Sequence, residues 1–310
     1  MRLLYYNDIG QIRQRDFRDS PPPYAILSHI WGQEEVTFQD VTNNTGTHKA
    51  GYEKIRFCGQ QARRDGLQFF WVDSCCIDKT NNTELTRAIN SMFAWYRQAA
   101  RCYVYLSDVP TRALAKSNGT VWEEAFMASR WFTRGWTLQE LLAPEIVEFY
   151  TKEGIYLGTK ASLEREIHRV TRISVRALRG YQLSALGVKE RMEWANGRNT
   201  TEQEDWAYSL LGIFGVSMPL IYGEGRDNSI RRLKEEINKR YNGEAASSNR
   251  IYEGNRTFDQ ARAINGDVGG IVQGDGRSQV EYRSNEASGT SFQVNGSIDA
   301  ATFQAFLSNR

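Results

Sequence analysis

Eight consecutive residues, 134–141 (RGWTLQEL), combine side chains that could do chemistry: an arginine, a tryptophan and a glutamate, with leucines between them. If this octet is helical at about 100° per residue, the leucines share one face, and Trp136, Gln139 and Glu140 share the opposite face. The leucines would then anchor the helix in a core and leave the carboxylate beside an indole. A carboxylate in such a partly apolar position can stabilise positive charge on a bound molecule. The alternative is that Glu140 is an ordinary surface glutamate.

The elements that must position the octet are four short apolar runs, typical of buried strands, and the amphipathic or capped segments between them, typical of helices. Predicted strands cover residues 24–31, 69–72, 102–106 and 146–150; predicted helices cover residues 52–64 and 122–127, the octet, and a helix capped by Thr83. Strands that alternate with helices predict an α/β fold of the flavodoxin-like kind, with an open, mostly parallel sheet and helices on both faces.

Ligands of such folds bind at the edge of the sheet where the parallel strands end. In this sequence that edge would collect residues 28–32 after the first strand, residues 73–78 after the second, and Ser107 with Asp108 after the third. We therefore expect a binding site among these loops and the octet.

Composition is that of a soluble globular protein. With 310 residues, 40% of them hydrophobic, the chain can bury a sizeable core, and its net charge of +2 without a Lys or Arg block argues against a nucleic-acid partner. No apolar run approaches the roughly 20 residues of a membrane span, and the start of the chain becomes acidic at Asp8, too early for a signal peptide. We therefore expect a cytoplasmic protein without a membrane span.

The four cysteines and three histidines do not suggest a disulfide framework or a metal site. Cys75 and Cys76 are adjacent in an apolar segment, which is typical of buried free thiols. Because the histidines are scattered and no Cys-x-x-Cys pair is present, we expect no bound metal.

The composition changes near Asn242. Beyond this point the sequence contains no Lys, Trp, Cys, Met, His or Pro, and residues 241–249 have the composition of a linker. The expected organisation is an α/β core at residues 1–160, a helical extension at 161–240, a linker at 241–255 and a distinct tail at 256–310.

Three blocks of the sequence resemble the fungal HET (heterokaryon incompatibility) domain. They are residues 24–32 (YAILSHIWG), residues 71–78 (WVDSCCID) and the octet. Residues 198–214 and 218–225 resemble the extension that often accompanies this domain, so the resemblance covers roughly residues 1–240. It implies a role in non-self recognition in filamentous fungi, where activation of the domain kills the cell.

The HET domain is itself distantly similar to the TIR domain, in which a Trp-Cys-Leu-x-Glu-Leu segment carries the glutamate of members that cleave NAD. Residues 136–141 (WTLQEL) are similar to that segment, so Glu140 matches the catalytic glutamate, although Thr137 replaces the cysteine. This resemblance implies a TIR-like sheet and NAD as a substrate, with no resident cofactor. Many TIR domains, however, are adaptors without activity.

Cleavage between nicotinamide and ribose passes through an oxocarbenium-like transition state, which a single carboxylate can stabilise. In this hypothesis Glu140 holds the ribose hydroxyls and stabilises the developing charge, and Trp136 or Trp31 stacks on a ring. The other binding candidates are residues at the sheet edge and in the octet: Arg134, Ser28 and the Gly32 backbone for phosphate, together with Asp73.

Each of these assignments has a structural alternative. Trp31 and Trp71 could be core residues, and Asp73 could cap the loop that follows it. Arg134 could be a surface charge or could pair with Glu123 or Glu124.

The tail contains short β-prone pieces at residues 270–272, 278–282 and 291–294, with turn residues between them. The Asn-Gly turn signal at 265–266 returns at 295–296. The tail resembles the β-solenoid amyloid signalling motifs of fungal prion domains, which implies self-assembly and a NOD-like receptor with a matching motif as the partner. The alternative is a disordered linker.

Three functions remain open at this level. The first is an NAD-cleaving death effector that is activated when tails polymerise and concentrate the domains. The second is a non-enzymatic adaptor that assembles and recruits a death partner, and Glu140 locked in a structural salt bridge would favour it. The third, a nucleotide-binding regulator, lacks a Gly-rich phosphate loop after the first strand.

Overall fold

The structure is a computed structural model that describes residues 1–18, 20–111, 121–248, 251–253, 256–257, 262–265, 281–283, 286–287 and 292–295; from residue 241 onward it describes the backbone alone. The chain divides into two compact units, Met1–Glu236 and Ile237–Arg310. Among the described residues, no helix is both long enough and apolar enough to cross a bilayer.

The first unit is built on a seven-stranded sheet. Its strands are β1 (Arg2–Tyr6), β2 (Ile12–Asp16), β3 (Tyr24–His29), β4 (Phe69–Trp71), β5 (Arg101–Tyr105), β6 (Val147–Tyr150) and β7 (Tyr156–Thr159), in the order β2-β1-β4-β3-β5-β6-β7. The central strands β4, β3, β5 and β6 run parallel, and β1, β2 and β7 join antiparallel at the edges. The predicted open α/β sheet is confirmed, with mixed rather than parallel edges.

Twelve helices accompany these strands in the described parts of the chain. They are α1 (Phe38–Thr42), α2 (Tyr52–Arg64), α3 (Asp73–Cys76), α4 (Asn82–Gln98), α5 (Val121–Met127), α6 (Thr137–Leu142), α7 (Glu164–Thr171), α8 (Val175–Leu178), α9 (Val188–Glu193), α10 (Asp205–Tyr208), α11 (Leu211–Phe214) and α12 (Arg226–Ser248). Helix α4 is capped by Asn81, whose side chain accepts from the backbone of Thr83 and Glu84. The predicted cap, Thr83, lies inside the helix, two residues after the observed cap.

Helices cover both faces of the sheet, because successive side chains of a strand point to opposite sides. On one face, Phe57 of α2 lies against Tyr103 of β5, with ring centroids 6.4 Å apart. On the other, Trp71 of β4 packs on Tyr96 of α4 at 5.9 Å. Trp71 is fully buried, so its alternative assignment to the core is confirmed.

The octet folds as predicted into a short helix, α6, but the expected division into an apolar and a polar face is wrong. All six of its side chains are buried, including Gln139 and Glu140. The second face is covered by the extension, where the Gln139 amide donates to the carbonyl of Ser209 at 2.7 Å. The partner of Gln139 lies 70 residues away in the sequence. The periodicity of the octet therefore could not show that this polar side chain is buried.

The extension after β7 is helical, as expected, but its helices are shorter and more often interrupted than the sequence pattern suggests. Residues 201–214 form two short helices, α10 and α11, in place of one. Between them, the Ser209 hydroxyl donates back to the carbonyl of Trp206 at 3.1 Å, a local bond that competes with a continuous helix. Gly212 of α11 lies so close to α4 that an added Cβ would be 2.1 Å from Cβ of Phe93.

The second unit begins within α12, whose backbone is helical as far as Ser248 through most of the segment with linker composition. Three pairs of short parallel strands follow: β8 (Ile251–Glu253) with β11 (Glu281–Arg283), β9 (Arg256–Thr257) with β12 (Glu286–Ala287), and β10 (Arg262–Asn265) with β13 (Phe292–Asn295). In all three pairs each residue faces the one 30 positions later, as Tyr252 faces Tyr282. The β-prone piece at 270–272 lies outside the described residues.

Candidate functional site

A cavity of about 530 Å³ opens at the edge of the sheet where the parallel strands end. We call it the Glu140 cavity. It is lined by the loop after β3 (His29, Ile30, Trp31), the segment after β4 (Asp73, Ile77, Lys79), helix α4 (Leu85, Ile89, Met92), the octet (Arg134, Trp136, Thr137, Glu140) and the extension (Thr201, Glu202, Asp205, Tyr222). The sheet edge, the octet and the extension therefore build one site together.

Glu140 is the buried acid of this cavity, with 7% of its surface exposed. One carboxylate oxygen, Oε2, accepts a hydrogen bond from the hydroxyl of Ser28. Burial raises the pKa of Glu140 to about 8; the Ser28 bond opposes this shift, the charge of Asp73 adds to it, and the charges of Arg198 and Arg134 oppose it. Among the described residues Glu140 takes part in no ion pair, so the carboxyl group is held by a neutral donor and faces the cavity.

Ser28 lies beneath Glu140 and is fully buried, outside the lining of the cavity. Its hydroxyl accepts from the indole N–H of Trp131 at 2.8 Å and donates to Glu140. The serine therefore fixes the orientation of the carboxylate. Its side chain does not line the cavity in which it was predicted to bind a phosphate.

A buried arginine, Arg198, supports the octet from behind. Its guanidinium donates to the carbonyls of Trp194 at 3.0 Å and Arg134 at 2.8 Å, and to the Thr137 hydroxyl at 2.9 Å. Burial lowers the pKa of Arg198 to about 10, and the charge of Glu140 opposes this shift. Arg198 thus fixes the first turn of α6 and places a positive charge behind Glu140.

Asp73 anchors the loop that follows β3. Its Oδ1 lies 2.8 Å from Nε2 of His29, and its Oδ2 accepts from the indole N–H of Trp31 at 2.8 Å. Although burial alone would raise it, the pKa of Asp73 is held well below its usual range by the hydrogen bond and charge of His29, with contributions from Lys79 and Trp31. Asp73 therefore fixes the Trp31 ring and does not serve mainly as a cap.

In the extension, Asp205 holds Trp136 in the same way as Asp73 holds Trp31. Asp205 accepts from the indole N–H of Trp136 at 2.9 Å and from the hydroxyl of Tyr222 at 3.0 Å. Burial raises the pKa of Asp205, and both hydrogen bonds oppose the shift. Two tryptophans of the cavity, Trp31 and Trp136, thus each donate an indole N–H to an aspartate.

Two basic side chains lie at the mouth. Arg134 donates to the hydroxyl of Thr201 at 3.0 Å, and in the described ranges it forms no ion pair with Glu123 or Glu124. The ammonium of Lys79 lies 3.2 Å from the centroid of the Trp31 ring. Trp31 is 45% exposed, so it is not a core residue.

The structure brings most, but not all, of the sequence-predicted residues to the cavity. Glu140, Trp31, Asp73, Arg134 and Trp136 line it. Gly32 does not, and its backbone N–H already donates to Glu35 at 2.5 Å.

The loop after β5 is also absent from the cavity. Asp108 there accepts from Ser129 at 2.7 Å and from the backbone N–H of Arg130 at 2.8 Å, which caps the turn Arg130–Thr133.

Sequence reasoning missed five residues of the site. These are His29, Lys79, Arg198, Asp205 and Tyr222. The first two stand within or next to segments that were singled out, and their positions at strand ends could have suggested them. The other three come from the extension, and nothing local to their sequence indicates the cavity. In the described ranges, no group of three or more His, Cys, Asp or Glu side chains is arranged to hold a metal ion.

This sheet, with its ligand edge and its octet, can now be compared with known proteins. Residues 24–118 match the family described as heterokaryon incompatibility protein (HET). The matched segment contains the first two of the three sequence blocks, from β3 to beyond β5, and confirms that they are similar to the HET domain.

A curated relative extends this likeness. The chain is 56% identical over 245 residues to "Vegetative incompatibility protein HET-E-1" of Podospora anserina. The aligned part is 77% of this chain but only 18% of the relative, so the chain spans less than a fifth of that protein. No solved structure matches the chain significantly.

Proposed function

We propose that this chain is a cell-death effector of fungal heterokaryon incompatibility, and that its first unit cleaves NAD between nicotinamide and ribose. The role in incompatibility is supported by the match to the HET family and by the likeness to a vegetative incompatibility protein. The chemistry is supported by the octet and its cavity.

One observation carries the catalytic proposal: Glu140 is a buried acid that faces a cavity and has no ion-pair partner among the described residues. A structural glutamate at such depth is ordinarily paired with a cation, because an unpaired buried charge is costly. Here the cost is visible as a raised pKa, to about 8. A group poised in this way is typical of an active site.

The proposed mechanism follows from the charge of the substrate. The nicotinamide ring of NAD is a cation, and the ribose gains positive charge as the bond to nicotinamide breaks. A cation in the cavity favours the ionised form of Glu140, which then stabilises the oxocarbenium-like transition state. Nicotinamide leaves with the electron pair of the broken bond, and water adds to the ribose carbon and releases a proton, which gives ADP-ribose. The Ser28 hydroxyl keeps the carboxylate oriented, and this hydrogen bond and the Arg198 charge both lower the cost of its ionisation.

The aromatic walls supply binding. Trp136, Tyr222 and Trp31 line the cavity. The indole N–H groups of Trp136 and Trp31 are held by Asp205 and Asp73. Rings fixed in this way can stack on the flat rings of a ligand with little loss of side-chain entropy.

The experiment is to incubate the purified full chain with NAD and to measure nicotinamide release, with Glu140→Gln and Glu193→Gln as variants. Glu193 is an exposed glutamate of α9, outside the cavity, and undergoes the same chemical change. We expect loss of one transition-state contact to reduce kcat by roughly 100-fold or more in Glu140→Gln and not at all in Glu193→Gln. Equal rates in parent and Glu140→Gln would overturn the catalytic assignment and leave the adaptor function.

The second part of the proposal concerns activation. We infer that the tail assembles into a β-solenoid amyloid, templated by a NOD-like receptor that carries a matching motif. The parallel backbone pairing of β8, β9 and β10 with β11, β12 and β13 supports this, because parallel in-register stacking can continue from one chain to the next. Polymerised tails would raise the local concentration of the first units.

A further inference from the structure

Two cations that line the Glu140 cavity, Lys79 and Arg134, form no ion pair among the described residues. Asp73 and Asp205 are each engaged by two donors, and Glu140 is bound by Ser28. Among the described residues, the ammonium of Lys79 has neither a carboxylate within ion-pair distance nor a hydrogen-bond acceptor. Arg134, bound to the Thr201 hydroxyl, likewise has no acidic partner there. Carboxylates also line the cavity, and the charges of Asp73 and Asp205 attract Lys79 at longer range. Because Lys79 and Arg134 are not engaged in ion pairs among the described residues, both keep N–H donors for an anionic ligand.

The position of Lys79 suggests how such a ligand enters. Its ammonium rests on the face of Trp31, whose edge is fixed by Asp73. A cation over an exposed ring gains less free energy than it would from a typical charge-assisted hydrogen bond to phosphate. The flexible lysine stem can therefore swing from the ring to an anion, and this movement uncovers the indole face.

We propose that Lys79 and Arg134 bind the diphosphate of a dinucleotide, with Trp31 as the platform for one of its rings. The two cations come from different elements, the segment after β4 and the octet, and border the same cavity of about 530 Å³. Trp31 and Trp136 both line this cavity, so an aromatic ring is available for each of the two rings that flank a diphosphate. This inference rests on the proposed function for the nicotinamide end and specifies the substrate class as dinucleotides over nucleosides.

Binding of ADP-ribose to the purified full chain tests the site without catalysis. We expect Lys79→Met to weaken ADP-ribose roughly 10- to 100-fold in titration calorimetry, the loss of one or two charge-assisted bonds, and Lys79→Arg to recover most of it. Lys189→Met is the matched control, since Lys189 is an exposed lysine of α9 outside the cavity, and it should bind as the parent does. Unchanged affinity in Lys79→Met would overturn the proposal.

Kinetics separate this inference from the proposed function. Lys79→Met should lower kcat/KM for NAD and leave that for nicotinamide riboside, which lacks the diphosphate, unchanged. If the parent releases no nicotinamide yet binds ADP-ribose in a Lys79-dependent way, the catalytic proposal fails and the diphosphate site stands. If Lys79→Met cleaves NAD and the riboside as the parent does, the diphosphate site fails and the catalytic proposal stands.

Discussion

At the scale of single residues, Glu140 owes its properties to its surroundings. Exposed, it would be an ordinary carboxylate; buried against Ser28 and ahead of Arg198, it holds its proton to a pKa of about 8. The same side chain therefore lowers the free energy of unfolding at high pH and is also the group in the cavity best suited to catalysis.

This cost predicts a pH-dependent stability. The folded state binds the Glu140 proton more tightly than the unfolded state, so the contribution of this residue is fully present below pH 4.5 and is lost as pH rises toward 8. Glu140→Gln should match the parent near pH 4.5 and exceed it near pH 8.5 by an amount on the order of 2–5 kcal/mol. Denaturant unfolding at both pH values measures the difference.

The control for this prediction is Glu193→Gln, which should differ from the parent by the same small amount at both pH values. If the stability gap between Glu140→Gln and the parent did not widen with pH, the carboxyl group would be titrating as an exposed one does.

At the scale of elements, the close contact between α11 and α4 holds the extension against the sheet. Gly212 is the point of closest approach, because any side chain there would overlap Phe93. The extension supplies Asp205 and Tyr222 to the cavity, so this contact bears on the site as well as on stability.

Gly212→Ala should therefore destabilise the first unit by about 1–3 kcal/mol, the usual cost of overpacking. Gly187→Ala is a suitable control: Gly187 has an ordinary φ of −57° and no heavy atom within 4 Å of an added Cβ. Thermal unfolding of the two variants should show a lower midpoint for Gly212→Ala alone. Equal midpoints would mean that the two helices can separate without loss.

Much of the sheet could be predicted from the sequence, because β3, β4, β5 and β6 are apolar runs buried on both faces. Strands β1, β2 and β7 could not, since each carries polar or partly exposed residues; β2 and β7 are the edge strands, and β1 lies next to β2. Of the site, Glu140 and Trp136 followed from the octet. Lys79 and Asp205 did not, because their relation to the octet arises only when segments far apart in sequence fold together.

At the scale of the whole molecule, the two copies in the tail share a constant spacing of 30 residues between paired positions, whereas few of the paired residues are identical. Of the nine paired positions in its three strand pairs, two carry the same residue, Tyr252 with Tyr282 and Asn265 with Asn295. The returning Asn-Gly signal was the part of this repeat that the sequence pattern revealed. The parallel pairing of the two copies could be recognised only from the backbone structure.

Proline in both copies should abolish assembly. Ile264→Pro with Val294→Pro removes a backbone donor from each of two paired strands, whereas Ile264→Val keeps the donor and a β-branched side chain. We expect the full chain and Ile264→Val to form fibres that bind thioflavin T, and the double-proline variant to remain soluble. Fibres from the double-proline variant would exclude a solenoid built on these strands.

The constant offset of 30 residues also bears on which changes in length the tail can accept. A deletion or insertion of one residue within a paired strand would shift its register, and a one-residue shift turns the side chains beyond it to the other face. Gain or loss of a whole 30-residue copy would leave the register of the remaining copies intact. We therefore expect natural variants of this tail to tolerate side-chain replacement freely and to change length, where they change it, in steps of one complete copy.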